Sequence, residues 1–181
     1  MSEIQFSEPL MARIQEIIKR FPEGKQKSAQ IAVLHEVQDA YNHTMTVPLM
    51  DKIAEILSIR PIEVYEVATF YSMYNHKNPG KFMLEFCQTS PCCLKGAEKM
   101  MEYTCKKLGV ELGEVTADGK FSVKGVECLG ACGYAPMMQV GDYYYEFLNE
   151  EKIDKLIEEF KALDGDMNQT KPEPKVLMTN A

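Results

Sequence analysis

Lys81-Phe-Met-Leu-Glu-Phe-Cys87-Gln-Thr-Ser-Pro-Cys92-Cys93-Leu94 changes character halfway along. Phe82, Leu84 and Phe86 alternate with Lys81, Met83 and Glu85, the period of a strand ending at Cys87. Beyond Cys92, apolar positions recur at Leu94, Ala97, Met101, Cys105 and Leu108, the period of a helix that stops at Gly109. Downstream, Phe121 and Val123 alternate, and the phase then slips at Gly125 so that Val126 and Cys128 continue it. A glycine at a phase slip predicts a bulge. Met138 and Val140 lead through Gly141-Asp142 into Tyr143-Tyr144-Tyr145, the pattern of a two-residue hairpin. Asn149 is placed to cap a last helix with Ile153, Leu156, Ile157 and Phe160 on one face.

The resulting order is strand, helix, strand, hairpin strands, helix. A β-α-β unit followed by a β-β-α unit is a thioredoxin-like layout. Upstream the period is helical throughout. Ser7 is a candidate N-cap for a helix carrying Leu10, Ile14, Ile17, Ile18 and Phe21, ended by Phe21-Pro22 and Gly24. Ser28 is a candidate cap for a second helix, with Val33, Leu34, Val37 and Tyr41 on its apolar face. Pro48 suits the first turn of a third, with Leu49, Ile53, Ile56 and Leu57, and Pro61 opens a fourth with Val64, Ala68 and Tyr71 inward. The expected fold class is α+β. It consists of a helical bundle over residues 1–75 acting as an interaction module, a thioredoxin-like α/β domain over 76–164, and a flexible tail over 165–181. His76-Lys77-Asn78-Pro79-Gly80 is the expected linker loop.

Composition narrows the function. The 181 residues are 45% apolar and 26% charged, which suits a soluble globular chain with a substantial core. The longest apolar runs fall far short of the roughly 20 residues of a membrane helix, and the opening Met1-Ser2-Glu3-Ile4-Gln5 lacks a secretory pattern. A soluble, cytoplasmic chain without direct membrane insertion is expected. Twenty Lys and Arg stand against 27 Asp and Glu, giving a net charge of −7. Nucleic-acid binding requires a basic footprint to displace counterions, and no such cluster is present in the sequence.

All six cysteines lie after residue 86: Cys87, Cys92, Cys93, Cys105, Cys128 and Cys132. Cys87 and Cys92 are spaced C-x4-C, Cys128 and Cys132 are spaced C-x3-C, and 35 residues separate the pairs. Each pair falls where a strand gives way to a loop. Such loops let sulfurs converge on one centre while the intervening N–H groups turn toward them. Gly130 and Gly133 remove bulk where backbone must approach closely, and the helix near Leu94 would aim its partly positive end at an anionic site. Two thiolate pairs suit a [2Fe–2S] cluster or a Zn site. The cluster fits better, because each pair can grip one of two irons. A disulfide set is the remaining reading, and no C-x-x-C exists for a thioredoxin-type dithiol. Cys93 and Cys105 read as packing residues, and His35, His43 and His76 as structural or surface groups. Tyr143–Tyr145 reads as strand rather than stacking platform, and the methionines as packing. Met137 and Met138 are candidates for excluding water beside the second pair.

Cys87-Gln-Thr-Ser-Pro-Cys92 and Cys128-Leu-Gly-Ala-Cys132, followed by Ala135-Pro136-Met137, closely resemble the thioredoxin-like [2Fe–2S] ferredoxins. More narrowly, they resemble the peripheral ferredoxin subunits, the E subunits, of NADH:quinone oxidoreductase, respiratory complex I. Val64-Tyr-Glu-Val-Ala-Thr-Phe-Tyr-Ser-Met-Tyr74 and Gly113-Glu-Val-Thr-Ala-Asp-Gly119 resemble the same family, and the likeness runs from roughly residue 10 to 163. Cys93 departs from it, standing where an apolar non-cysteine residue is expected.

The resemblance implies one [2Fe–2S] cluster on Cys87, Cys92, Cys128 and Cys132, the first pair holding one iron and the second pair the other. It implies an oxidoreductase subunit without a complete active site, exchanging single electrons with a flavoprotein NADH-binding partner. FMN and NAD would lie on that partner, with other peripheral-arm subunits nearby, on the cytoplasmic face of the inner membrane. No catalytic acid, base or nucleophile is expected in the chain. An equivalent ferredoxin subunit of a soluble NAD-linked hydrogenase or formate dehydrogenase is the alternative, and a Zn-stapled interaction module a more distant one.

Overall fold

The helical spacing of the first part of the chain becomes four α-helices in the computed structural model, which describes residues 4–163. They are α1 (Glu8–Ile18), α2 (Gln30–Ala40), α3 (Val47–Leu57) and α4 (Pro61–Phe70). Pro9, Pro48 and Pro61 fall in the first turns of α1, α3 and α4, where a missing N–H leaves no bond unmade. Leu10, Ile14, Ile17, Val33, Leu34, Val37, Leu49, Ile53, Leu57, Val64 and Ala68 share one buried core.

Ser7 occupies the expected α1 N-cap position, and its side chain makes no cap bond. Two other expectations in this part need correction. Ser28 lies inside a 3-10 turn, Gln26–Ala29, and that turn runs directly into α2 through Ala29, whose backbone is already helical. A polar cap is unnecessary when the preceding turn supplies the hydrogen bonds. Tyr71 is outside α4, extended and 40% exposed; Tyr74 is buried instead, its hydroxyl donating to the Ile31 carbonyl at 3.1 Å. Buried Gln38 is satisfied at both ends, donating to the Met73 carbonyl and accepting from the Asn75 N–H.

The chain divides into two units, one ending at Asn78 and the next beginning at Pro79. The second contains a four-stranded mixed sheet of β1 (Phe82–Cys87), β2 (Phe121–Val126), β3 (Met138–Val140) and β4 (Tyr143–Tyr145), in the order β2-β1-β3-β4. β2 runs parallel to β1, and β3 antiparallel to both β1 and β4. The helices are α5 (Ser90–Leu94), α6 (Ala97–Leu108) and α7 (Glu150–Ala162). This is the expected β-α-β and β-β-α arrangement. Phe82 stacks on Phe160 of α7, centroids 5.1 Å apart, and lies 5.8 Å from Phe121. Asp154 of α7 accepts from the Tyr103 hydroxyl and pairs with Lys107, tying α7 to α6. The Asn149 side chain caps α7 through the Lys152 N–H at 2.8 Å.

Two further expectations change here. β1 and β2 pair residue for residue from Phe82↔Phe121 to Cys87↔Val126, so Gly125 makes no bulge and the strand ends before Cys128. A Cβ at Gly125 would collide with the amide of Gln88, which lies over the strand there. The helix expected from Leu94 to Gly109 is broken at Gly96 (φ +90°), and Leu94 is 87% exposed rather than on the apolar stripe. The expected tail, residues 165–181, lies outside the described residues.

Phe82→Ala removes a ring sandwiched between β2 and α7. It is expected to cost about 3–5 kcal/mol, read from the urea midpoint of the full-length protein. A second expectation concerns pH. The Lys27 ammonium, 2.7 Å from Glu63, together with the Arg60 backbone N–H and guanidinium, holds the Glu63 carboxyl at about 2 instead of 4.5. A depressed carboxyl contributes stability above its unfolded value and loses it as pH falls through the folded one. The advantage of wild type over Glu63→Gln in denaturant midpoint is therefore expected at neutral pH, shrinking below about 4.5 and gone near 2.

Candidate metal centre

Parallel pairing of β1 and β2 sends both cysteine loops off the same end of the sheet, because Cys87 faces Val126 at the last register position. Cys87 ends β1, and Cys92 sits in the short α5 that follows. Both are buried. Cys128 lies just past β2, and Cys132 opens a 3-10 turn, Cys132–Tyr134; both are exposed. Leu129 and Ala131 of the second loop pack against a buried cluster of Cys87, Cys92, Ala97, Ala135 and Met137. The two loops thus touch, as the spacing predicts. None of the six cysteines is in a disulfide.

Hydrogen-bond donors converge on the sulfurs. Burial pushes the Cys87 thiol up, but the Thr89 hydroxyl, 3.2 Å away, the Thr89 and Leu129 backbone N–H groups and Cys92 outweigh it, leaving Cys87 below its usual value. Burial, reinforced by the neighbouring Cys87, pushes the Cys92 thiol up to about 11; the Met137 N–H opposes this and Cys132 adds to it. The Gly130 N–H donates to Cys128 Sγ at 3.4 Å. Peptide N–H groups aimed at sulfur favour its anionic form. That is the environment a thiolate-held, negatively charged cluster requires.

Among the described residues, no three His, Cys, Asp or Glu side chains gather tightly enough to hold a single metal ion. A two-iron cluster makes a different demand. Each cysteine pair would hold its own iron, so the four sulfurs need not converge on one ion. Four free thiols on two touching loops, supplied with N–H donors, fit that demand.

The remaining candidates separate cleanly. Cys93 turns toward Glu98, its Sγ 3.8 Å from Oε1. Cys105 is half-buried on α6, packed against the sheet core. Met137, just before β3, is fully buried in the cluster with Cys87 and Cys92, whereas Met138, which opens β3, belongs to the sheet core, so of the two Met137 is the one placed to shield the site. The charged end expected at Leu94 is misplaced, since α5 begins at Ser90 and α6 at Ala97. A Cβ at Gly130 or Gly133 would meet no protein atom within 4 Å, so neither glycine serves close packing within the chain. Gly130 is needed for its left-handed backbone, φ +77°. His35 packs its ring on Tyr74, His43 lies 3.5 Å from Asp39, and His76 sits between the Met45 and Ala68 carbonyls, all in the helical unit.

Three contributors escape a reading of the sequence. Thr89 and the Leu129 N–H act on Cys87, and the hydroxyl of Tyr144 donates to the Leu129 carbonyl at 2.7 Å. A polar residue inside the C-x4-C loop is a local signal that could have pointed to Thr89. Tyr144 has none, because its contact spans 15 positions of chain.

Comparison with known proteins identifies the family. Residues 14–161 match the family described as thioredoxin-like [2Fe–2S] ferredoxin. The E subunit of an NADH-quinone oxidoreductase from Rickettsia felis is 43% identical over 146 residues, 81% of this chain and 87% of the relative. The corresponding E subunit from Rickettsia bellii is 38% identical over 162 residues, covering 89% and 96%. Among solved structures, an NAD+-reducing [NiFe]-hydrogenase in its H2-reduced state superposes with a TM-score of 0.64 at 22% identity, over 78% of this chain and 23% of that one. That likeness speaks to the fold. With the family pattern spanning both units and the paired cysteine loops in contact, the chain belongs to the thioredoxin-like [2Fe–2S] ferredoxins.

Proposed function

We propose that this chain is the electron-carrying E-type subunit of an NADH-quinone oxidoreductase, holding one [2Fe–2S] cluster on Cys87, Cys92, Cys128 and Cys132. The observation that carries the reading is the contact of the two cysteine loops: Leu129 and Ala131 pack against the buried cluster that contains Cys87 and Cys92, and the Leu129 N–H reaches the Cys87 sulfur. The cluster, when bound, supplies one-electron redox chemistry in which no substrate bond is made or broken. The chain's own residues do the rest. Four thiolates hold the group. Met137, Ala135 and Leu129 exclude water from its inner side. The N–H groups of Thr89, Leu129, Gly130 and Met137 offset the negative charge that an added electron brings.

The flavin and nicotinamide chemistry belongs to a flavoprotein NADH-binding partner, because the chain carries neither a G-x-G-x-x-G after a strand nor a Walker loop. Identity of 43% and 38% to the two Rickettsia E subunits, against 22% to the hydrogenase, favours the quinone reductase over a soluble hydrogenase. Among the described residues no helix is long and apolar enough to cross a membrane. We place the chain peripherally, on the cytoplasmic face of the inner membrane. The helical module over residues 1–75 is read as a docking surface for peripheral-arm subunits. Ile31, Val47, Ile62, Phe70 and Tyr71 are exposed apolar groups among its described residues, and Phe70 is the most exposed of them.

Purified wild type is expected to be brown, with iron and acid-labile sulfide in equal amounts; colourless, Zn-loaded protein overturns the reading. Alanine at Cys87, Cys92, Cys128 or Cys132 is expected to abolish or rearrange the visible spectrum, whereas Cys105→Ala leaves it intact. Phe70→Ser, at a side chain 80% exposed, is expected to keep both the spectrum and the thermal midpoint. The same variant is expected to recover several-fold less flavoprotein in co-purification, and undiminished recovery removes Phe70 from the interface.

A further inference from the structure

The three consecutive tyrosines of β4 do not share one role. Strand alternation puts Tyr143 and Tyr145 on one face and Tyr144 on the other, and Tyr145 packs edge-on against Phe160. Tyr144 is 47% exposed, and its hydroxyl reaches the second cysteine loop, donating to the Leu129 carbonyl at 2.7 Å. That carbonyl and the Gly130 N–H are two ends of one peptide group. The same N–H donates to Cys128 Sγ at 3.4 Å. A phenol, an amide and a sulfur therefore form one hydrogen-bonded chain.

The amide couples its two ends. A donor at the oxygen draws electron density away from nitrogen through the partial C–N double bond, leaving the N–H more positive and a better donor. Gly130 itself lies in the left-handed region, φ +77°, a conformation that side chains rarely adopt, so the loop that carries this peptide favours glycine there.

We propose that Tyr144 is a positioning residue that raises the electron affinity of the sulfur site, acting through the Leu129–Gly130 peptide. The inference rests on the cluster reading of the preceding subsection. An electron taken up from the redox partner adds one negative charge at the site. A stronger Gly130 N–H bond to Cys128 favours that charged form, and loss of the Tyr144 hydroxyl weakens it. The fold-change is set by the share of one charge-assisted bond that cooperative polarisation supplies. Roughly a two- to fourfold loss in the reduction equilibrium is expected on that basis, about 18–36 mV for a one-electron couple.

The test is a potentiometric titration of full-length, cluster-loaded protein, followed by electron paramagnetic resonance, with iron and sulfide measured alongside. Tyr144→Phe is expected to keep full iron content and to shift the midpoint downward. Replacement of Tyr144 by 3-fluorotyrosine, a stronger donor, is expected to shift it upward at a pH where that hydroxyl stays protonated. A side chain that merely latches the loop would not move the potential in opposite directions. Unchanged potentials in both fully loaded variants overturn the proposal. Where Tyr144→Phe loses iron, the fluorotyrosine protein decides alone: an upward shift supports the coupling and no shift refutes it. Failure of the underlying reading is distinct, since the wild-type protein itself would then contain no iron.

Discussion

Parallel pairing between β1 and β2 is the constraint on which the sulfur site depends. Two parallel strands end at the same edge of a sheet, and the unbroken register from Phe82↔Phe121 to Cys87↔Val126 makes them end together. A slip of one residue would turn Cys87 to the opposite face and separate the loops. Several features protect that register. Phe82 and Phe121 lie side by side across the strand pair, and Phe160 covers Phe82 from α7. Gly125 leaves room for the Gln88 amide, whose backbone N–H continues the pairing onto the Val126 carbonyl at 2.9 Å. The sheet and its helical cover therefore act as a frame that delivers two cysteine loops to one place.

Once the loops meet, the physics becomes electrostatic. Burying a thiolate is costly, as the rise of the Cys92 thiol to about 11 records. Cys87 is equally buried, yet its shift is downward, because a hydroxyl and two backbone N–H groups point at its sulfur. Burial disfavours the anion at both; at Cys87 the donors and the Cys92 thiol outweigh it, whereas at Cys92 the neighbouring Cys87 reinforces it against the Met137 N–H. A metal cluster held by Cys87, Cys92, Cys128 and Cys132 would resolve what remains, since a ligating thiol must be deprotonated. On the proposed reading, the chain has no acid or base to tune. Its influence on function runs through hydrogen bonds to sulfur, burial and shape.

Local patterns in the sequence survive folding where their causes are local. The Gly141-Asp142 hairpin, the Asn149 cap, the apolar face of α7 and the cysteine spacing are each set by a few adjacent residues, and all are found in the structure. Misreadings arise where a distant partner decides, or where the backbone conformation of a near neighbour overrides the side-chain pattern. Gly125 looks like a bulge until Gln88 is seen lying across it. Leu94 fits a helical stripe, but the positive φ of Gly96 breaks the helix and turns Leu94 outward. Ser28 has the chemistry of a cap, but the 3-10 turn around it makes capping redundant. Tyr144 is the sharpest case. Three tyrosines in a row read as strand, which they form, while the contact of the middle one with Leu129 depends on how the β4 edge faces the second loop.

The two cysteine pairs are not equivalent, and the asymmetry bears on how electrons would pass. Cys87 and Cys92 are held inside, anchored by β1 and α5 and ringed by Ala97, Ala135 and Met137. Cys128 and Cys132 face outward on a loop braced by Gly130, Tyr134 and Tyr144. Retaining a cluster and poising its potential require shielding from water, whereas exchange with a partner requires close approach. One buried pair and one exposed pair meet both demands within a single site. On the proposed reading, the exposed loop is where a redox partner would come nearest, and where small changes in donor strength would act most directly on the transfer.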